Sequence, residues 1–148
     1  MVEHIQAQEE KEVLGVVVIS HGSLAKALID ASAMLMGDLE NVVPVCLYEG
    51  ADPMDYAKEL DAAIDQFPQG VIVLVDLFGG TPSNSLIMRM RAKNALVKAI
   101  SGVSLPMLIE TLSLRRMMEG QELLNAIEEA SHSSIVNITE QVRTLLNK

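Results

Sequence analysis

The sequence holds one cysteine, Cys46, inside the apolar segment "NVVPVCLY". A single thiol excludes an internal disulfide and most cysteine-based metal sites, and in that setting it reads as a buried structural group. Basic residues are also scarce: 11 Lys and Arg face 20 Asp and Glu, giving a formal charge of −9 and a pI near 4.7. No basic cluster is therefore available to displace counterions from nucleic acid, and an anionic membrane would repel such a surface. A long apolar run is missing as well. Residues 13–19, interrupted by Gly15, follow the acidic "QAQEEKE" rather than a basic leader, and they are far too few to span a bilayer. A cytoplasmic protein is expected, with residues 1–12 as a tail and 13–148 as one domain large enough to bury its own core.

What is present is alternation. The short apolar runs 13–19, 42–47, 71–75 and 95–100 suit strands buried on both faces of a parallel sheet. Between them, residues 24–36 show a helical pattern, with Leu24, Leu28, Ala31 and Leu35 on one face and Gly37 as a stop. A second helix is expected over 53–66, opened by Asp52 as cap and Pro53 in the first turn. "TPSNSLIMRMRA" repeats that start, with Thr81 as cap and Pro82 as the first helical residue. Two more helices are expected over 106–118 and 119–130, then a strand in "SSIVNI" and a final amphipathic stretch. Met34, Met36, Met88, Met90, Met117 and Met118 recur at helical spacings, as core or interface packing does.

This βαβαβαβ order specifies an open, doubly wound α/β fold with a mainly parallel sheet and helices on both faces. Ligands of such sheets bind beyond the carboxyl ends of the strands, at the switch point of the topology. With strand order 2-1-3-4, His21 after the first strand and Asp76 after the third, within "VIVLVDLFGGTPSNSL", open into one crevice. A carboxylate that accepts from one ring nitrogen fixes the tautomer and leaves the other nitrogen's lone pair free to attack. His21 and Asp76 are thus the candidate catalytic pair. Gly22, Gly79 and Gly80 allow close backbone approach, and the helix starts at Ser23 and Thr81 offer N–H groups to an anion. With Ser20, these residues make up the candidate phosphate-binding set. The same residues admit plain structural readings, a solvated loop histidine and an aspartate capping its turn. "FGG" is no Walker loop, because no Gly-Lys-Ser/Thr follows it. His4 and His132 read as solvated, and neither a metal nor a cofactor is implied.

In this order and spacing, "VVVISHGSLAKAL", "MGDLENV", "VIVLVDLFGGTPSNSL" and "SGVSLPMLIETL" resemble the IIA component of the mannose family of bacterial phosphoenolpyruvate-dependent sugar phosphotransferase systems. The resemblance runs from residue 13 to the C-terminus. It implies a phosphocarrier in which His21 accepts a phosphoryl group from the protein HPr and passes it to a IIB component. IIB in turn phosphorylates a sugar entering through membrane IIC and IID subunits. It also implies that Asp76 partners the histidine, and that two chains form a homodimer by exchanging a C-terminal strand, here "SSIVNI". The tail of about a dozen residues departs from the family pattern, and with no IIB-like segment before Lys148 the acceptor is expected on a separate chain. Three rivals remain. The phosphocarrier subunit of dihydroxyacetone kinase is similar in fold and histidine position, although "FGGTP" favours the sugar-transport branch. Regulatory modules of this fold occur inside transcriptional activators. A histidine phosphatase would place an arginine where Ser20 stands and would need a second catalytic histidine.

Overall fold

The structure is a computed structural model describing residues 12–148, so His4 and all of the expected tail except Glu12 lie outside the described residues. Four parallel strands, β1 (Gly15–His21), β2 (Val42–Leu47), β3 (Val71–Val75) and β4 (Lys98–Ser101), form one sheet in the order β2-β1-β3-β4. Helices α1 (Leu24–Met36), α2 (Pro53–Asp65) and α3 (Thr81–Lys93) connect successive strands, and α4 (Leu105–Leu114), α5 (Gly120–Ser133) and α6 (Ile138–Leu146) follow β4. This is the doubly wound arrangement and the 2-1-3-4 order expected from the sequence.

The period-two alternation of β1 sends its side chains into two separate cores. Val17 and Ile19 join Val73, Val75, Tyr56, Leu60, Ile64 and Leu86 on the face covered by α2 and α3. Val16 and Val18 join Ile72, Leu74, Ala25, Leu108, Leu112, Leu123 and Ile127 on the face covered by α1, α4 and α5. Gly15 opens the strand because a Cβ there would stand 2.2 Å from the Phe67 ring. Asp52 and Ser104 cap α2 and α4, their side chains accepting the N–H groups of Met54 and Met107.

Several expectations change in detail. β1 runs through His21, so the histidine is the last strand residue rather than a residue just past the strand's end. Thr81 is the first residue of α3, and Gly80 holds the cap position assigned to Thr81. The buried stripe of α1 is Ala25, Leu28, Ile29 and Ser32, not Leu24, Leu28, Ala31 and Leu35. Small Ala25 and Ser32 face the close contact with the sheet and α4, which leaves Leu24 and Leu35 outside. Of the six methionines, Met90 and Met118 pack against the cores, while Met34, Met36, Met88 and Met117 are exposed.

The strand expected in "SSIVNI" is not formed. Within one chain no strand lies beside this segment, and Asn137 accepts the Glu140 N–H, turning Ile138 into the first residue of α6 instead. No residue of α6 is buried, and Ile138, Val142, Leu145 and Leu146 are all exposed.

The amino edge of the sheet, opposite the predicted crevice, is tied by Arg115. Its buried guanidinium donates to the carbonyls of Leu14 (2.7 Å), Glu40 (2.7 Å) and Asn41 (3.3 Å). Asn41 and Gln69 add side-chain bonds to the Val13 carbonyl.

Candidate active site

The carboxyl ends of β1 and β3, adjacent in the sheet, bring His21 and Asp76 together across 55 residues of sequence. The imidazole Nδ1 lies 2.8 Å from Asp76 Oδ2. The same oxygen accepts the His21 backbone N–H at 2.9 Å, and Oδ1 accepts the Leu77 N–H at 2.8 Å. Asp76 is in turn placed by its own N–H, which donates to the Ile19 carbonyl. The aspartate side chain is only 7% exposed, whereas the histidine side chain is 47% exposed.

Burial pushes the Asp76 carboxyl up, but hydrogen bonds from the His21 backbone and ring and from Leu77, with attraction to the imidazole, outweigh it. The net result lies below the ordinary carboxylate range. Asp76 is therefore ionised at neutral pH, an acceptor with no proton of its own. Paired with it, Nδ1 carries the ring proton and Nε2 keeps its lone pair. Beneath the site, burial first and then the Asp76 charge push the Tyr56 hydroxyl up, and it donates to the Val45 carbonyl as a neutral phenol.

The far side of the ring rests against Gly80. A Cβ on that residue would stand 2.5 Å from His21 Cε1 and 3.0 Å from Nε2. Gly80 has φ −87°, a conformation open to any residue, so its glycine is required by the ring and not by the backbone. The imidazole is thus held between a carboxylate on Nδ1 and the start of α3 beside Nε2. Thr81 opens that helix, and Asn84 in its first turn donates to the Gly79 carbonyl at 3.3 Å.

Gly80→Ala is expected to displace the ring by about 1 Å, the distance needed to restore carbon–carbon contact. Reactions at Nε2 should slow by about a hundredfold at most. ¹⁵N-edited NMR should show the His21 Nδ1–H signal weakened while the thermal midpoint stays near that of the parent; an unchanged ring signal would refute the steric account.

The remaining candidates divide. Gly22, at φ 56°, makes the tight turn after β1 and donates to the Leu47 carbonyl at 2.6 Å. Ser23 and Gly79 are exposed at the same edge, and Thr81 is partly so. Ser20 is different: it is fully buried with its hydroxyl bonded within the chain, so it is no anion ligand. Sequence reasoning missed Leu77, whose N–H anchors the carboxylate, and Asn84. The pattern Gly-Gly-Thr-Pro-Ser-Asn held a hint of the latter, since Asn side chains often bond turn carbonyls. Among the described residues, no three His, Cys, Asp or Glu side chains gather as a metal would require.

The family described as PTS system fructose IIA component, EIIA-man, matches residues 15–128, from the first residue of β1 into α5. The chain belongs to this family. It is 30% identical over 131 residues to the PTS system fructose-specific EIIA component of Bacillus subtilis, covering 87% of this chain and 89% of that one. It is 32% identical over 104 residues to the mannose-specific EIIAB component of Escherichia coli K12, covering 69% of this chain and 32% of that longer one. Among solved structures, phosphotransferase system component EIIA from Streptococcus agalactiae superposes with a TM-score of 0.79 at 26% identity, over 86% of this chain and 98% of that one. As an EIIA-man member, the chain is a sugar phosphotransferase system IIA component and belongs with proteins of phosphotransfer.

Proposed function

We propose that His21 carries a phosphoryl group between two proteins, accepting it from phosphorylated HPr and donating it to a IIB component. The observation that carries this reading is the 2.8 Å contact of Nδ1 with an ionised Asp76, which leaves Nε2 as the nucleophile beside Gly80. In the accepting step the Nε2 lone pair attacks phosphorus. The donor's N–P bond breaks, and its electron pair returns to the donor imidazole. The Nδ1 proton stays on the ring, hydrogen-bonded to Asp76, and the carboxylate offsets the positive charge that develops there. Delivery to IIB is the same displacement with Nε2 as the leaving group. Thr81 and the turn residues Ser23, Gly79 and Gly80 meet the phosphoryl oxygens with backbone and hydroxyl donors, while Gly22, its N–H held by the Leu47 carbonyl, shapes the turn. No step calls on a cofactor.

In this reading residues 13–148 form the transfer domain and work in the cytoplasm, where both protein partners can reach the exposed histidine. Among the described residues no helix is long and apolar enough to cross a membrane. Membrane IIC and IID subunits are served indirectly, through IIB. Two chains pair as a homodimer, which covers the uncovered apolar side chains of 135–146.

Incubation with phosphoenolpyruvate, enzyme I and HPr should place one acid-labile, base-stable phosphate on each chain, and peptide mapping should find it on His21. Label on another residue, or none at all, would overturn the reading.

A further inference from the structure

We infer that Ser20 is a positioning residue for the His21 imidazole, acting through the turn between β1 and α1; the inference rests on the phosphocarrier reading above. Ser20 lies directly before the histidine, its side chain pointing into the protein with 0% exposure. Its hydroxyl is spent in both directions, accepting the Ala25 N–H at 2.8 Å and donating to the Gly22 carbonyl at 3.3 Å. The residue at the cap position of α1, Ser23, makes no side-chain cap bond. Ser20 therefore satisfies an orphan N–H of the helix from three residues upstream of the usual place.

This arrangement closes a ring of bonds around His21. The His21 N–H is held by Asp76, the Gly22 N–H by the Leu47 carbonyl, and the Gly22 carbonyl by Ser20. The backbone that carries the imidazole is thus pinned on both sides, and Ser20 supplies the anchor on the Gly22 carbonyl. Gly22 at φ 56° is the flexible joint of this turn, so a lost anchor is converted directly into movement of the histidine. Alanine at position 20 also leaves the buried Ala25 N–H without its partner.

The test compares Ser20→Ala, Ser20→Cys and Ser20→Thr in the full chain, measuring phosphoryl uptake from phosphorylated HPr. Ser20→Cys fills the site with a somewhat larger atom but donates and accepts weakly, so beside Ser20→Ala, which leaves the site underfilled, it separates packing from hydrogen bonding. Ser20→Ala and Ser20→Cys should lower kcat by about ten- to a hundredfold with KM for phosphorylated HPr unchanged. Ser20→Thr, which keeps the hydroxyl, should recover to within about threefold of the parent. Should the extra methyl of Ser20→Thr prevent folding, the His21 Nδ1–H signal decides, broadened in Ser20→Ala and Ser20→Cys and sharp in the parent. A parental kcat in both Ser20→Ala and Ser20→Cys, a change confined to KM, a folded Ser20→Thr as slow as Ser20→Ala, or an unchanged ring signal would each overturn the inference. A parent chain that takes up no phosphoryl group overturns the proposed function, and this inference with it; a competent parent beside an equally competent Ser20→Ala overturns the inference alone.

Discussion

Asparagine in place of Asp76 is expected to leave a folded protein that takes up phosphoryl groups about a hundred- to ten-thousandfold more slowly. The carboxylate accepts three N–H groups, two on Oδ2 from His21 and one on Oδ1 from Leu77. An amide has only one accepting atom. With its oxygen toward His21, its NH₂ confronts the Leu77 N–H and opens the turn after β3. Flipped, it donates to the ring, forces the proton onto Nε2 and removes the attacking lone pair. In either orientation it cannot offset charge on the imidazole. Single-turnover transfer from phosphorylated HPr measures the loss, and a parental rate would remove Asp76 from the chemistry. The same substitution alters the acid limb of stability. Because the folded-state pKa of Asp76 lies below its unfolded value, its contribution is complete above about pH 4 and is lost as pH falls through the folded value. Asp76→Asn should therefore be less sensitive to acid than the parent over that interval, as urea titrations at stepped pH would show.

Arg115→Ala should destabilise the fold by about 3 kcal/mol, lowering the thermal midpoint by roughly 6–12 °C. One guanidinium bonds three carbonyls, at Leu14, Glu40 and Asn41, the last of them shared with the Val16 N–H of β1. Alanine takes the guanidinium from all three at the amino edge of the sheet, leaving Asn41 only its Val16 donor, and opens a void where the side chain was buried. Burial, reinforced by Arg116 and partly opposed by Glu40, lowers the Arg115 pKa to about 10, so the charge is still present at neutral pH. Lysine should not rescue it, since an ammonium lacks the planar fork that spans separate carbonyls. The defect lies at the end of the sheet opposite the histidine. The His21 Nδ1–H signal should consequently persist in the folded fraction, and a midpoint within about 2 °C of the parent would contradict the assignment.

The sheet and the meeting of His21 with Asp76 were legible because both follow from pattern and topology. β2 and β3 have the bounds read from their apolar runs, and once the order 2-1-3-4 is granted, residues after the first and third strands must face one another. What escaped depended on geometry between distant segments. Nothing in "SHGS" says that the serine before the histidine turns inward while the one after it stays outside. The demand on Gly80 arises from a ring delivered by another strand. The C-terminal segment differs within one chain for another reason: "SSIVNI" alternates like a strand, but Asn137 followed by Glu140 is also a helix-start pattern. Locally the capping bond wins, because a strand without a neighbour has nowhere to place its backbone hydrogen bonds.

The separation of His21 from Asp76 along the chain has a consequence for the protein's birth. At synthesis rates of about 5–20 residues per second, the 55 residues between them take roughly 3 to 11 s to add. Until β3 has been made and has docked, β1 lacks its neighbour on that side and the imidazole has no carboxylate to set its tautomer. Under the proposed function, a nascent chain that already displays the histidine is therefore a poor competitor for phosphorylated HPr. The proposed acceptor chemistry then waits for the middle of the chain, when the central strand pair closes.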